Sequence, residues 1–271
     1  MLTIPLTPST VSSRTVVSAD QFKMLDLFKE AIHTTILGLQ GFHELVITDL
    51  PPGWEDFLGA EEEYLPTTRK SYDPASRKLR LKIMPTNIHN CLTAWFSTSF
   101  FFAGTSGFLN DEEGDILCLD VGTSNGPYRG LRKEPDLLVF TPSRPFPSLV
   151  AEVGWSESYE DLLHDMNKLL VGSDGGIKIV LLVKWTKHSH DSVSGVLELY
   201  RNEREGIPRL RQTEVIFPEP IGDPLQPLDI QRRDLYPTGP PRNPKENFPL
   251  LVSRLRRHAR RSLARQGYVP A

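Results

Sequence analysis

Four stretches between residues 133 and 185 decide the fold: KEPDLLVF (133–140), PSLVAEVGWSES (147–158), EDLLHDMNKLL (160–170) and IKIVLLVKW (177–185). The first, second and fourth are apolar runs of strand length. In the third, with the residue before it, Tyr159, Leu162, Leu163, Met166, Leu169 and Leu170 recur at helical spacing. The near-continuous apolar content of LVAEV and IVLLV predicts central strands buried on both faces. Two carboxylates stand out against this background: Asp136 at the entry of one strand and Glu152 in the middle of the next. A buried carboxylate costs on the order of several kcal/mol unless something positive offsets it. The pattern points to a divalent metal held by oxygen ligands beside a phosphodiester.

Outward from this centre, Arg77 to Met84 alternates as a strand, with Leu79, Leu81 and Ile83 on one face and Arg80 and Lys82 on the other. Turn residues, Tyr72 to Ser76, precede it. No Asp, Glu, Lys or Arg occurs between Lys82 and Asp111, so CLTAWFSTSFFFAGTSGFL (91–109) mimics a membrane span. Asn90, Thr93 and Ser97 form a polar stripe, and Gly104 and Gly107 interrupt the run, so a helix buried in a core is expected and no membrane. Further strands are expected at 116–121, 195–201 and 214–217. Helices are expected at 20–37, with Phe22, Leu25, Phe28, Ile32 and Ile36 on one face, and at 248–266. This order puts a mixed sheet between helices, an α/β (α+β) fold with an N-terminal helical extension and a basic C-terminal helix. The expected organisation is a disordered N-terminus over 1–18, a domain over 19–217, a Pro-rich linker over 218–247 and a basic helix over 248–271. The acidic run Glu61 to Glu63 reads as a solvated loop.

With 271 residues, 39% hydrophobic and 24% charged, the chain has the composition of an ordinary globular protein. Its two cysteines, Cys91 and Cys118, exclude a cysteine-based zinc site and fit a reducing compartment. No basic start followed by an apolar core marks a secretory signal, so an intracellular location, cytoplasmic or nuclear, is expected. The net charge of −3 is uneven: eight Lys/Arg against one Asp/Glu from Pro240 to Ala271 leave about −10 elsewhere. The segment SRLRRHARRSLARQ (253–266) carries six arginines around a narrow stripe of Leu251, Leu255, Ala259 and Leu263. Arg256, Arg257, Arg260 and Arg261 are the candidate contacts to nucleic-acid phosphates, and the segment also fits a nuclear-localisation patch. His89 reads as a locally bonded histidine. His188 and His190 are close enough for zinc but sit in a hairpin-type loop without further ligands in sight.

Pro135-Asp136 on one strand and Glu152-Val153-Gly154 on the next resemble the PD-(D/E)xK superfamily, the restriction-endonuclease-like phosphodiesterases. RKLRLKIMPTNIHN (77–90), and EVGWSES followed by a helix with Asp165 and Lys168, are similar to a bacterial family of small restriction-endonuclease-like proteins and to a group of fungal proteins. The resemblance covers roughly Tyr72 to Arg201 and implies a restriction-endonuclease-like sheet. It implies Mg2+ or Mn2+ on Asp136, Glu152 and the Val153 carbonyl, and a lysine two residues after the glutamate that orients water. Here that position is Gly154. The resemblance then offers Lys168 on the following helix, with Lys178 and Lys184 on the next strand as alternatives. Periodicity places Lys168 roughly opposite the apolar arc. Two readings follow: a metal-dependent nuclease acting on DNA or RNA, or a module that kept the fold, lost the chemistry and binds nucleic acid or protein.

Overall fold

The structure is a computed structural model that describes residues 14–39, 41–57, 68–83, 87–120, 124–125, 132–142, 144–155, 158–202, 206–222, 227–236 and 242–271. It is mixed α and β, with two sheets and six α-helices among the described residues. No helix among them is long and apolar enough to cross a membrane. The chain divides into two compact units, residues 1–86 with 129–134, and residues 87–128 with 135–271. Residues 1–13, the acidic run Glu61 to Glu63 and Ser156 lie outside the described residues.

In the first unit, β1 (Arg14–Ser18) leads through a short 3-10 turn to α1 (Leu25–Gly38), followed by β2 (His43–Thr48), β3 (Thr68–Asp73) and β4 (Lys78–Ile83). Strand β1 pairs parallel with β2, and β4 lies antiparallel between β2 and β3. The stretch expected to be disordered therefore ends in a paired strand. Phe28, Ile32 and Ile36 of α1 pack with Leu45, Ile47, Leu79, Leu81 and Ile83 of the sheet in one core. The alternation expected for β4 holds, but its other face is not solvated. Arg80 and Lys82 are buried there, in register with Val46 and the fully buried Glu44 of β2.

The second unit begins with α2 (Asn87–Thr105), α3 (Asp111–Ile116), β5 (Cys118–Asp120) and the two-residue β6 (Ser124–Asn125). Next comes β7 (Arg132–Lys133), which belongs to the first unit and pairs with β3. The second unit resumes with β8 (Leu137–Phe140), β9 (Leu149–Gly154), α4 (Tyr159–Gly172), β10 (Ile179–Lys187), β11 (Ser192–Asn202) and β12 (Pro208–Phe217). It ends with α5 (Arg232–Leu235), α6 (Val252–Ala264) and β13 (Val269–Pro270). Its sheet runs β12-β11-β10-β9-β8-β5, with β13 paired to β11. Among its described residues, β9–β10 and β11–β13 are the parallel pairs.

Alternation along the strands builds two cores. Leu137, Val139, Leu149, Ala151, Val153, Leu181 and Val183 face Leu92, Trp95 and Phe96 of α2 and Leu255, Ala259 and Leu263 of α6. Leu138, Val150, Val180 and Leu182 face Leu162, Met166, Leu169 and Leu170 of α4. Asn90 and Ser97 of the apolar helix are exposed and Thr93 is half-buried, as the polar stripe requires. The stretch read as a Pro-rich linker puts Leu228, Ile230, Leu235 and Tyr236 into the α2–α6 core. It also carries Arg232, whose Nη1 donates to buried Glu113 at 2.6 Å while its guanidinium stacks 3.9 Å above Phe108.

Candidate functional site

Asp136 and Glu152 sit on the neighbouring antiparallel segments β8 and β9. The register runs Val139↔Leu149, Leu138↔Val150 and Leu137↔Ala151. One step further sets Asp136 across from Glu152. Both are buried, at 1% and 0% exposure. Asp136 stands just before the first strand residue, and its Oδ2 accepts the Val153 amide proton at 2.8 Å. In an extended strand the N–H and C=O of one residue leave on the same side. The Val153 carbonyl therefore points towards the side where Asp136 lies. The Asp136 charge also reaches Cys91 of α2, whose thiol is pushed up by burial first and by Asp136 second.

Glu152 faces α4, because side chains alternate: Val150 on β9 and its register neighbour Val180 belong to the α4 core, whereas Ala151 and Val153 belong to the other. Gly154 is on the same face as Glu152. A Cβ at 154 would lie 2.5 Å from Leu162 Cδ1, so the place of a motif lysine is filled by a leucine from α4. The glycine is thus a consequence of close helix–strand packing.

Lysines near this position differ in what the fold does with them. Lys184 is the register neighbour of Gly154 on β10, as Leu182 is of Glu152. It therefore leaves the same face as Glu152, one strand over, and is half-buried. With strands about 4.8 Å apart and about 6.6 Å for two residues along one, the Cα atoms of Lys184 and Glu152 are about 8 Å apart, within reach of a lysine side chain. Lys168 is half-buried on α4, one turn after Asp165. Lys178 precedes β10 and is exposed.

Several features escaped the sequence reading. Asp165 is fully buried on α4, within its packed face. Helix α4 runs back over the sheet from Leu162 at Gly154. The three residues to Asp165 climb about 4.5 Å and the two from Gly154 to Glu152 about 6.6 Å, which brings both carboxylates to a similar level. Glu198 of β11 continues the row Glu152, Leu182, Glu198. Its carboxylate accepts the Tyr159 hydroxyl at 2.7 Å and the Tyr200 hydroxyl at 2.9 Å. Both phenols are pushed up, mainly by burial. Glu44 in the first unit carries the signal that singled out Glu152, a carboxylate inside an apolar strand (HELVIT), and Arg14 Nε lies 3.4 Å from its Oε2.

The expected arginine contacts separate. Arg256 is buried, and it donates from Nε to the Ile216 carbonyl at 3.1 Å and from Nη2 to the Val215 carbonyl at 2.6 Å. It holds α6 on β12 and is not a surface contact for phosphates. Arg260 pairs with Glu219, while Arg257 and Arg261 are exposed. All lie on α6, across the sheet from Glu152. His89 is buried on α2, and His188 bonds Ser194 in an exposed hairpin.

Among the described residues no three His, Cys, Asp or Glu side chains form a ready cage for a metal. Two carboxylates and a carbonyl nevertheless suit magnesium, which keeps several waters and takes one or two carboxylates. No family model matches the chain, and no curated protein matches it.

Proposed function

We propose that the second unit is a metal-dependent phosphodiesterase of the PD-(D/E)xK type acting on nucleic acid, with Asp136, Glu152 and the Val153 carbonyl as the oxygen ligands and Lys184 in place of the motif lysine. The observation that carries this reading is the register: Asp136 opposite Glu152, and Lys184 beside Gly154 on the Glu152 face. A bound Mg2+ or Mn2+ supplies Lewis-acid polarisation of a phosphate and a water of lowered pKa. Asp136, fixed by the Val153 amide, needs no reorientation before it binds a cation. Glu152 is held at fixed depth by the packed strand around it. Lys184 brings a positive charge to the same face, where it orients water and offsets charge on a phosphate oxygen. Lys168 is half-buried on the α4 flank, one turn after the buried Asp165, and is not needed at the metal in this reading.

The test is cleavage of DNA and RNA substrates with Mg2+ or Mn2+. Glu152→Gln and Asp136→Asn abolish it, Lys184→Ala lowers it by about 10²–10⁴-fold, and Lys168→Ala leaves most of it. Cleavage undiminished in Glu152→Gln sinks the reading. One observation favours a second reading, a binding module without chemistry: Leu162 is packed onto Gly154. Nucleic-acid binding without cleavage under any metal supports it.

A further inference from the structure

Helix α6 buries Leu255, Ala259 and Leu263 against the sheet and α2. Its outer side carries Arg254, Arg257, Arg261 and Arg265, about one per turn, over about 16 Å of helix. Such like charges repel at these spacings. The neighbouring arginines add to burial at the two groups on this side. Arg254 is held below its ordinary value by burial and then by Arg257, and His258 by burial and then by Arg261 and Arg257. Arg256 and Arg260 do not join the row, the first being buried and the second paired with Glu219. Arg257, Arg261 and Arg265 are exposed and have no carboxylate partner among the described residues.

At the start of this row α2 presents Phe101 and Phe102, 67% and 44% exposed, with ring centres 5.7 Å apart. The Arg254 guanidinium stands 4.3 Å over the Phe102 ring and joins the two features into one surface. A line of cations that begins at two exposed aromatic rings fits a polymer carrying both phosphates and flat apolar faces. We propose that the α6–α2 surface binds single-stranded nucleic acid, with phosphates along Arg254, Arg257, Arg261 and Arg265 and bases on Phe101 and Phe102. A duplex hides its base faces from these rings. A lipid surface calls for a broad apolar helix face, and the apolar face of α6 is already buried. The surface is on the other side of the sheet from Glu152 and does not depend on the carboxylate site.

Fluorescence anisotropy of the full chain in EDTA tests this, with labelled oligothymidylate, a duplex and phosphatidylserine vesicles as the three probes. The single strand binds best, and log K falls with log salt at a slope of about −3, from four phosphates at about −0.7 each. Arg257→Ala with Arg261→Ala makes the slope shallower by about 1.4, and the two lysine replacements keep it. Phe101→Ala with Phe102→Ala weakens the single strand about ten-fold or more and leaves the duplex unchanged. The assay is run in EDTA and reads a surface on the opposite face of the sheet, so failure of the phosphodiesterase reading leaves this result standing. No binding of the single strand, no effect of the phenylalanine changes, or tighter binding to vesicles overturns the proposal.

Discussion

Replacing Gly154 by alanine puts a methyl group where Leu162 already sits. The added Cβ would lie 2.5 Å from Leu162 Cδ1, 3.1 Å from Cγ and 3.3 Å from Cδ2. Leu162 is fully buried in the cluster with Val150, Met166 and Leu182, so it cannot swing aside. Overpacking of this kind costs about 1–3 kcal/mol. Alanine recovers about 0.4–1 kcal/mol through the less flexible unfolded chain, because Gly154 has an ordinary φ. The net expectation is a loss of about 1–2 kcal/mol. Leu162→Ala alone costs about 2–5 kcal/mol through the cavity it leaves. In the double variant the new methyl enters vacated space, so Gly154→Ala becomes neutral or mildly stabilising there, and the two sites couple by about 1–3 kcal/mol. Urea unfolding of the four proteins, followed by tryptophan fluorescence and far-UV circular dichroism, measures the cycle. Trp95, Trp155 and Trp185 report on the second unit. A neutral Gly154→Ala in the wild-type background, or additive effects, would refute the view that Leu162 excludes a side chain at 154.

Further outcomes follow from buried charge. Arg232→Met leaves Glu113 buried with its closest partner gone and costs about 3–5 kcal/mol in urea unfolding, whereas adding Glu113→Leu recovers most of it; a loss below 1 kcal/mol contradicts the pair's importance. Burial raises the Glu113 carboxyl, but Asn110, Arg232 and Arg242 together hold it below its ordinary value of 4.5. Its contribution is therefore complete above the unfolded-state value and fades as pH falls through the lower folded value. Thermal melts towards acid should lose stability more steeply in wild type than in Glu113→Gln, and parallel curves speak against it. Cys91 is buried and its thiol is pushed up, while Cys118 is partly exposed. A thiol reagent should label Cys118 in the native protein and Cys91 only after denaturation, and prompt labelling of Cys91 contradicts its placement.

Periodicity made the centre of the second unit legible. β8, β9, α4 and β10 were readable because strands buried on both faces need unbroken apolar runs and α4 needs a stripe. Asp136 and Glu152 stood out because a buried charge inside such a run is costly, and both are buried, although Glu44 in HELVIT carries the same signal. Strand pairing was not legible. HELVIT and TRKSYD became β2 and β3 only because β4 lies between them. Strands at 195–201 and 214–217 were readable as parts of β11 and β12, whereas the first part of β12 has many exposed side chains and so lacks an apolar signature. Tyr159 was expected in the apolar arc of α4, yet it lies at the helix start, 41% exposed, with its hydroxyl on Glu198. Arg256 looked like its neighbouring arginines, since nothing local reveals that the β12 carbonyls of Val215 and Ile216 stand next to it. Proline content suggested a linker at 218–247, but Leu228, Ile230, Leu235 and Tyr236 were free to dock between the prolines.

The claim on which the functional reading stands is that Asp136 and Glu152 share one cation. Calorimetric titration of the metal-free chain with Mn2+ addresses it without any substrate. One site of micromolar to millimolar affinity, lost in Asp136→Asn and again in Glu152→Gln, is the predicted result. No heat of binding at millimolar Mn2+, or binding that survives both substitutions, contradicts it.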